Sequence, residues 1–593
     1  MTFHTEQRRV FSKLLAGKNV VLSAPTSFGK TLLVDALIAS KKPTNVVIVV
    51  PTIALLEERR RTLAKRFPNY QIITQSFQEP AGERIILVGT QERILERRSW
   101  PPPDLFVIDE FYKLDITNSD SRSNALNVVL ASYIDTAKQV YLLGPSIETN
   151  PVDNEQRPDF EFVRTHYSPV AADIVRVDPP GSDPGVLARL LADEVRGTSL
   201  IYCRSPKSAR VVSQNLRTRG ITTDNTTAKR VASWLRENYH PNWYLADAVE
   251  CGVGIHHGRV PRAVAHLMVQ LFNSGDLKQL LCTSSLIEGV NTAAENVLIY
   301  DKYISTRKLD RFTFDNIKGR AGRMFRHYVG KVYLFAEMPE KAEIGLEIPL
   351  LKARDELSDQ AIFNVPEERL SPRNLARKRE ITDRVEVPAP ILEKYARFGI
   401  PEIESLYTEL SSLLLAGDRT LLWSGVGTYY EALDSMEAVW GHVDFEKHNV
   451  RSAKQFAFFA NRMRQAATLR QFIEDVSGGT DLDDKIDLTF NFLRGAEYSF
   501  VEPLKLLQAM VNSILGEGAC DYSKFLADLS GWGLPGNTKA LEELGVPAPV
   551  IQRVRDRIDI DDIDQAIEDI RSMMTLGTIL SPDDILVLDR TLN

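Results

Sequence analysis

One stretch constrains the fold of this chain more than any other. It runs from Ala24 to Thr31 and reads Ala-Pro-Thr-Ser-Phe-Gly-Lys-Thr, between a short apolar run at 19–23 and a helical pattern at 32–38. A buried strand, a tight turn and a helix N-terminus would direct backbone N–H groups at one small volume. That volume suits a phosphate, with Lys30 reaching its oxygens and the Thr31 hydroxyl entering a Mg²⁺ shell. Taken alone, the stretch also fits a strand-turn-helix that binds nothing.

The pattern around this stretch predicts the class of the first domain. From residue 1 to about 164, amphipathic segments alternate with short, β-branched apolar runs at 20–22, 46–50, 85–88, 105–108 and 140–143. Such near-continuous runs are typical of strands that are buried on both faces of a parallel sheet. We therefore predict a doubly wound α/β domain.

A second α/β unit is predicted after a stretch rich in Pro, Asp and Gly at 150–185, which we expect to cross between domains. Its candidate strands are 199–202, 252–255, 279–282, 297–300 and 330–335. From about residue 336 helical patterns replace the strands. The prediction is an α/β fold with two tandem parallel-sheet domains, followed by a mostly α-helical C-terminal region, over residues 1–165, 166–340 and 341–593.

Composition excludes several classes of protein. The chain has 593 residues, too many for one core at ~150 residues per domain. No stretch approaches the ~18 uninterrupted apolar residues of a membrane span, and the first residues do not form a signal peptide, so we expect a cytoplasmic protein with no membrane contact. The four cysteines lie far apart and favour neither a disulfide framework nor a metal site. The net charge of -7 does not exclude nucleic acid, because a groove needs only local Lys and Arg.

Two acids follow an apolar strand at Asp109 and Glu110. The carboxyl edge of a parallel sheet is where α/β folds bind ligands. There Asp109 could hold Mg²⁺ through water, and Glu110 could orient and deprotonate an attacking water. Paired acids after a strand are also common helix caps. The phosphate-binding stretch earlier on the same predicted sheet favours the catalytic interpretation.

A third constellation lies at 316–323, with Arg320 and Arg323 three residues apart on one helical face. A phosphoryl group in transit carries negative charge that such a pair would stabilise. Small residues at Gly319, Ala321 and Gly322 would let the backbone come close. An exposed basic helix is the alternative, and it explains the glycines poorly.

Together these segments resemble the superfamily 2 helicases, in particular the DExH-type Ski2-like group. The resemblance runs from about residue 3 to 335, and its most specific part lies at 252–259, 271–277 and 282–291. It implies two RecA-like lobes that bind ATP and Mg²⁺ between them and hydrolyse ATP while moving along nucleic acid. The chain also resembles compact bacterial helicases of antiphage defence. A role in DNA repair is the other context that the resemblance implies.

The resemblance implies a role for each matching residue, with Gln7 reading the adenine edge and Glu288 and Gly289 coupling strand contact to hydrolysis. The cofactor-binding residues would be Gln7, Pro25, Thr26, Ser27, Phe28, Gly29, Lys30, Thr31, Glu288 and Gly289. The catalytic residues would be Lys30, Asp109, Glu110, Arg320 and Arg323, and the Mg²⁺ ligands Thr31 and Asp109. The residues that hold a single strand would be Pro51, Thr52, Thr90, Arg93, Arg204, Thr283 and Ser284. Arg462, which lies beyond the matching segments, is a further candidate for strand contact.

Three positions depart from the family pattern. Tyr112 stands where His or Asp is usual, Gly144-Pro145-Ser146 replaces Ser-Ala-Thr, and Asn316 stands where Gln is common. None removes a hydrolytic group. All three concern the link between the ATP state and the grip on the strand.

Two segments keep alternative interpretations. Residues 303–314 match the place where related DNA helicases carry a strand-splitting β-hairpin; the alternation of Thr and Phe near the end permits a strand, and an ordinary loop is the alternative. His256 and His257 have no further ligands at zinc spacing, so we do not expect a zinc site.

In the helical region, five basic residues flank an apolar set that is most simply core. They could line a single-strand channel or form a solvated charged face. The basic residues are Arg451, Lys454, Arg462, Arg464 and Arg470, and the apolar set is Phe456, Phe459 and Met463.

The function we predict is an ATP-dependent helicase or translocase, moving 3′ to 5′ on single-stranded DNA. RNA is the alternative substrate. The alternative function is an ATP-gated nucleic-acid sensor or clamp that controls a partner effector protein and unwinds little.

Overall fold

The structure is a computed structural model of the 593-residue chain. It describes residues 3–25, 28–75, 78–97, 100–115, 121–145, 147, 149–153, 155, 157, 159–167, 171–222, 224–287, 294–322, 329–340, 346, 348, 357–364, 367, 370–477, 482–532, 538–560, 562–577 and 579–592.

The first sheet is parallel and is built by the apolar runs of the first 164 residues. Its strands lie side by side in the order Gln71–Ile73, Ile85–Gly89, Asn45–Val49, Leu105–Asp109, Val140–Gly144, Asn19–Ser23 and Phe160–Arg164. Its helices are Thr5–Leu15, Lys30–Lys41, Ile53–Arg66, Gln91–Glu96 and Ser121–Tyr133, with a 3₁₀ turn at Phe111–Leu114.

Both faces of this sheet are covered, as the near-continuous apolar runs predict. Side chains of the strand Leu105–Asp109 alternate between two cores: Phe106 and Ile108 pack in one, and Leu105 and Val107 in the other. Four of its five residues are apolar and buried, and only Asp109, at the carboxyl end of the strand, is polar.

The second sheet is also parallel where strand pairs are described within the first unit. Its strands there lie in the order Gln279–Cys282, Ser199–Tyr202, Asn296–Ile299, Val329–Leu334 and Ala171–Arg176. The accompanying helices are Pro184–Asp193, Pro206–Thr218, Ser284–Ile287 and Arg311–Lys318. A two-stranded antiparallel hairpin pairs Tyr303–Ile304 with Arg307–Lys308.

By its contacts the chain divides into two units. The first comprises Met1–Ile221, Lys278–Leu357 and Asn364–Leu375, and so contains the first sheet and the strands just given. The second comprises Thr222–Leu277, Ser358–Phe363 and Ala376–Asn593.

The second unit joins one segment of the α/β part to the C-terminal helices. That segment contributes the helices Thr226–Asn238, Tyr244–Glu250 and Arg262–Ser274 and the strand Val253–His256. The helices after residue 358 are Asp359–Asn364, Pro372–Arg384, Ala389–Tyr395, Ile400–Leu415, Tyr429–Trp440, Ala453–Gln465, Leu469–Ser477, Leu482–Glu497, Val501–Leu515, Ser523–Ser530, Thr538–Glu543, Ala548–Val554, Ile563–Leu576 and Pro582–Leu592, with 3₁₀ turns at Ala396–Phe398 and Arg555–Arg557.

Aromatic side chains form a core between these helices. The rings of Phe456, Phe459, Phe492 and Phe500 contact one another at centroid distances of 5.0–6.1 Å. Phe456, Phe459 and Met463 are buried, so the apolar set predicted as core is core.

The predicted fold class is confirmed: two parallel-sheet α/β regions precede a helical C-terminal region. The predicted domain boundaries at 165 and 340 remain predictions. The stretch at 150–185 holds more structure than a crossing, because Phe160–Arg164 and Ala171–Arg176 are strands of the two sheets.

Two local expectations differ from the structure. Arg320 was expected on a helical face with Arg323, but it follows the helix Arg311–Lys318 by two residues, and Arg323 lies outside the described residues. The segment 303–314 does contain a hairpin, Tyr303–Ile304 with Arg307–Lys308, but Thr313 and Phe314, whose alternation permitted a strand, lie in the helix. The side chain of Asp310 accepts a hydrogen bond from the Thr313 N–H at 2.7 Å and so caps the helix N-terminus.

Among the described helices, none combines the length and the apolar character needed to cross a membrane.

Candidate functional site

The turn between the strand Asn19–Ser23 and the helix Lys30–Lys41 is built for close approach. Gly29 adopts φ +82°, and a Cβ there would lie 2.8 Å from Nε2 of Gln7. That Gln7 amide is buried and donates to the Phe28 carbonyl at 2.8 Å. The Gln7 side chain is thus already part of the turn, and reading an adenine edge remains a prediction for it.

Lys30 is 6% exposed, and its Nζ donates to the carbonyl of Ala24 in the same turn at 3.0 Å. Burial lowers the pKa of this ammonium, while the carboxylates of Glu110 and Asp109 act in the opposite direction. The ammonium is therefore buried and lies within electrostatic reach of the two acids. Buried charge of this kind gains most from an anionic ligand.

The two acids end the strand Leu105–Asp109. Glu110 has φ +57°, which is uncommon for a residue other than glycine, and its N–H donates to Asp109 Oδ1 at 2.9 Å. Burial raises the pKa of both carboxyls, that of Glu110 to about 7, against the opposing charge of Lys30. A carboxyl with a pKa near neutrality is suited to accept a proton at physiological pH.

Arg320 brings a second cation to these acids from the other α/β region. Burial lowers the pKa of its guanidinium, and Glu110 is the largest opposing charge. Its backbone is held by pairing, since Arg320 O accepts from the Ala294 N–H at 3.2 Å. The loop that carries Arg320 packs directly against Gly330, where a Cβ would lie 2.4 Å from the backbone carbon of Ala321.

The Gly144-Pro145-Ser146 departure has a physical reason at its first residue. A Cβ on Gly144 would lie 2.8 Å from two ring carbons of Phe111, which follows the acidic pair. The hydroxyl of Ser23, at the end of the strand Asn19–Ser23, accepts from the Ile147 N–H at 2.7 Å and donates to the Ile147 carbonyl at 3.1 Å. Ser23 thus anchors the loop that follows Gly144.

The residues present fit a nucleotide phosphate with a divalent cation. The cradle at Gly29 has no room for a side chain, the Lys30 ammonium is buried, and Thr31, in the first turn of the same helix, is exposed. Thr31 and Asp109 supply oxygen ligands of the kind that Mg²⁺ prefers. Five predicted site residues, Thr26, Ser27, Glu288, Gly289 and Arg323, lie outside the described residues.

The predicted strand contacts of the first sheet follow two neighbouring strands, Asn45–Val49 and Ile85–Gly89. Thr52 caps its helix by accepting from the Leu55 N–H at 3.3 Å, and Arg93 donates to the Thr74 carbonyl at 3.3 Å. The other two, Pro51 and Thr90, are buried. These four residues follow the carboxyl ends of the two β-strands, and their side chains are buried or bonded within the protein. A nucleic-acid strand at this edge of the sheet would therefore meet mainly backbone groups.

The counterparts on the second sheet follow its neighbouring strands Ser199–Tyr202 and Gln279–Cys282. Arg204 is exposed and its N–H donates to Asp301 at 2.9 Å. Thr283 is buried, with its hydroxyl 3.2 Å from that of Ser285, and Ser284 begins a short helix. Arg204 is the member of this set with a side chain exposed to a ligand.

Arg462 lies on the helix Ala453–Gln465 of the second unit. Its guanidinium carbon is 5.6 Å from the centre of the Phe458 ring, and that ring is 40% exposed. By contrast Arg464 donates to the carbonyls of Val426 and Gly427. Arg470 is also committed, to Glu474 at 2.8 Å.

His256 and His257 are buried within the second unit. Burial lowers the pKa of His256 to about 4. His257 Nε2 is 2.9 Å from the Tyr244 hydroxyl, and its Nδ1 accepts from the Arg259 N–H at 3.3 Å. The Tyr244 hydroxyl also donates to Asp487 at 3.3 Å, so a helix more than 200 residues later orders this turn.

Sequence reasoning missed two rings beside the turn that carries Phe28 and Gly29. The His4 ring lies 5.2 Å from that of Phe28 and 4.2 Å from that of Tyr167, an exposed residue between the two sheets. The capping box of His4 with Gln7 was a readable signal for His4. Nothing in the sequence signals Tyr167.

Comparison with known proteins agrees with this geometry. A family model described as DEAD/DEAH box helicase matches residues 4–143. Anti-bacteriophage protein B of Escherichia coli (strain K12) is 31% identical to this chain, over 96% of the chain and 83% of that protein. Helicase POLQ-like of Homo sapiens is 22% identical, over 55% of the chain and 34% of that protein. ATP-dependent DNA helicase Hel308 of Pyrococcus horikoshii is 23% identical, over 56% of the chain and 50% of that protein. The chain therefore spans most of the first relative and half or less of the other two.

Proposed function

Because the chain belongs to the family of anti-bacteriophage protein B and carries an ATP-hydrolysing DEAD/DEAH box helicase domain, we propose that it is a Mg²⁺-dependent motor on DNA. It moves 3′ to 5′ along single-stranded DNA in the cytoplasm and separates duplexes as part of a defence against phage. A partner effector protein acts with it in that defence.

The observation that carries the proposal is the meeting of four charged groups at one place. Lys30, Asp109, Glu110 and Arg320 come from three separate segments, and the charge of Lys30 or of Glu110 shifts the pKa of each other member. A structural ion-pair cluster does not require a glycine cradle beside it or a positive φ at its central acid. Phosphoryl transfer to water requires both a cationic clamp and a base.

When bound, ATP with Mg²⁺ supplies the phosphoryl group that is transferred to water. The Lys30 ammonium exchanges its bond to the Ala24 carbonyl for an anionic oxygen. Glu110 holds the water and accepts its proton, which the pKa near 7 permits at physiological pH. Arg320 stabilises the negative charge that develops, and Asp109 with Thr31 would hold the cation.

DNA is proposed over RNA because Hel308, which covers 56% of this chain, is named a DNA helicase. The role against phage rests on the name of the relative that matches 96% of the chain. The contacts to phosphate and backbone make the motor largely independent of base sequence.

In the second unit, three exposed residues of the helix Ala453–Gln465 form one stripe, which we call the basic stripe: Lys454, Phe458 and Arg462. They are four residues apart and so share one face. Two cations for phosphates with an exposed ring between them for a base suit a single strand. The stripe is the part of this unit that we propose contacts the strand.

A clamp that holds DNA and unwinds little is the second candidate. The observation that favours it is the set of departures at Tyr112, Pro145 and Asn316, which concern coupling and leave the hydrolytic groups in place.

Strand displacement decides between these functions. Duplexes with a 3′ or a 5′ single-stranded tail, in DNA and in RNA, are mixed with the protein, Mg²⁺ and ATP. We expect release from the 3′-tailed DNA duplex alone, and no release with Glu110→Gln. Release from the 5′-tailed duplex would overturn the direction, and hydrolysis without any release would favour the clamp.

A further inference from the structure

One short helix connects the hairpin of the second α/β region with Arg320. We call the helix Arg311–Lys318 the hairpin helix. The hairpin, Tyr303–Ile304 with Arg307–Lys308, ends at Leu309, whose N–H donates to the Lys302 carbonyl at 2.9 Å. Arg320 follows the other end of the helix by two residues. Eight residues of helix span about 12 Å, so a movement of this rod would move both ends together.

The inner face of the hairpin helix fixes it to its own domain. Phe314 and Ile317 are fully buried, and the Arg311 guanidinium lies 5.6 Å from the Phe314 ring. Asp310 caps the first turn. The helix is therefore held as a rigid element of the second α/β region.

Its first turn also reaches the first sheet. The Phe312 ring meets the Tyr112 ring at a centroid distance of 4.8 Å and an interplanar angle of 67°, an edge-to-face contact. Tyr112 is two residues after Glu110 on a 3₁₀ turn whose neighbours Phe111 and Leu114 are fully buried. The Phe312 ring therefore contacts a firmly packed turn that begins at the acidic pair.

Both rings line a cavity of about 310 Å³, together with Asp109, Gln91 and Arg122. Close-packed groups resist rearrangement, whereas rings that border open space can change their relative position without displacing a core. Phe312 and Asn316 are four residues apart and share the face of the helix that carries this contact. Asn316, the second departure from the family pattern in this region, thus lies one helical turn from the Tyr112 contact.

We propose that Phe312, through its contact with Tyr112, is the positioning residue that sets the hairpin and Arg320 relative to Glu110. The aromatic pair passes the state of the ATP site to the hairpin, whose exposed Arg307 and Lys308 face the nucleic acid. This role rests on the proposed motor function and adds to it the residues that couple hydrolysis to strand grip. It explains why an aromatic residue at position 112 is functional here.

The test compares Phe312→Ala, Tyr112→Ala and the double variant with the wild type. The first readout is the number of ATP molecules consumed per displaced 3′-tailed DNA duplex, with kcat and KM for ATP determined separately. The second uses no hydrolysis: it is the ratio of Kd values for a single-stranded DNA with and without a non-hydrolysable ATP analogue. Tyr112→Phe, which keeps the ring, and Phe312→Leu, which keeps apolar volume, guard against loss of folding.

For each alanine variant we expect about threefold to tenfold more ATP per displaced duplex, the size of effect that an edge-to-face pair provides. The KM for ATP stays within twofold of the wild type, and the analogue-dependent ratio of Kd values falls towards one. The double variant should be no worse than either single variant, because both remove the same contact. Tyr112→Phe retains wild-type coupling, and Tyr430→Ala, which removes a 72% exposed ring in the second unit, changes neither readout.

Wild-type coupling in Phe312→Ala, or losses that add in the double variant, would overturn the positioning role while leaving the motor function intact. A wild-type protein whose ATPase rate does not respond to DNA would instead overturn the proposed function, and the coupling role with it.

Discussion

Two buried glutamates, one in each unit, share a raised pKa and differ in their surroundings. Burial raises the pKa of Glu110 in the first unit and of Glu542 in the second, in both cases to about 7. Glu542 accepts a hydrogen bond from the Ala263 N–H at 3.3 Å and lies beside Arg262, which pairs with Glu543 at 3.2 Å. Glu110 has an uncommon backbone conformation and faces Lys30 and Arg320.

The comparison teaches that a raised pKa does not identify a catalytic base. Glu542 accepts a hydrogen bond from the first turn of the helix Arg262–Ser274. It thereby joins that helix to its own helix, Thr538–Glu543. Glu110 lies at the carboxyl edge of a parallel sheet next to a glycine cradle, where a ligand can enter. Surroundings, and the chemistry they permit, separate a structural acid from a functional one.

The same substitution at both positions gives the largest expected difference. Glu110→Gln should lower kcat for ATP about 10³-fold, since it removes the group that we propose accepts the proton of water. Glu542→Gln should leave kcat within twofold of the wild type. Steady-state ATPase assays with single-stranded DNA measure both, and binding of a fluorescent ATP analogue confirms that Glu110→Gln retains the nucleotide. Equal losses in the two variants would break the comparison.

A second prediction concerns the cation that faces Glu110. Gly330→Ala places a methyl group against the backbone of the loop that carries Arg320 and should lower kcat about 10- to 100-fold, as expected when a charge-stabilising group is misplaced. Gly441→Ala is the matched control, because a Cβ there meets no atom within 4 Å. Circular dichroism of both variants checks folding. Full activity of Gly330→Ala would show that Arg320 does not need this loop position.

Two arginines of the helix Ala453–Gln465 allow a similar comparison between a functional and a structural charge. Arg462 is exposed, whereas Arg464 is hydrogen-bonded within the protein. Arg462→Ala should weaken binding of single-stranded DNA about fivefold and reduce the dependence of log K on log salt by ~0.7, because one phosphate contact is lost. Arg464→Ala should instead lower Tm and leave the salt dependence unchanged, since its guanidinium bonds the Val426 and Gly427 carbonyls. Fluorescence anisotropy at several salt concentrations measures the first effect, and thermal unfolding the second. The reverse assignment would refute the basic stripe as a strand contact.

The smallest effect is on stability and follows from the sign of the Glu542 shift. Its pKa is about 7 in the folded protein and 4.5 when unfolded, so folding binds a proton between these values and stability falls as pH rises through them. Glu542→Gln should therefore stabilise the protein by about 1–3 kcal/mol at pH 8 and have much less effect at pH 5. Urea unfolding at the two pH values measures the difference. A stabilisation that is equal at both pH values would contradict the assignment.

Much of the first sheet could be predicted because parallel strands buried on both faces are written as continuous apolar runs. The same signal failed for Phe160–Arg164 and Ala171–Arg176, which lie at sheet edges and mix polar with apolar residues. The hairpin helix was legible in principle from Asp310 and the spacing of Phe314 and Ile317. The alternation of Thr and Phe concealed it.

The charged groups of the site were predicted from local motifs, but their partners were not. Asp109 and Glu110 follow a strand signal, whereas Gln7 against Phe28 and Tyr112 against Phe312 are contacts between distant segments. The turn at His257 depends on Tyr244 and Asp487 for the same reason. Sequence patterns carry periodicity, and tertiary contacts of this kind leave no periodic trace.

The most direct test of the account is the ATPase rate of the wild-type protein with no polymer, with single-stranded DNA and with single-stranded RNA, and Glu110→Gln as the blank. We predict strong stimulation by DNA, little by RNA and none in the variant. A wild-type rate that is the same in all three conditions would contradict the claim that these charged groups drive a motor along a strand.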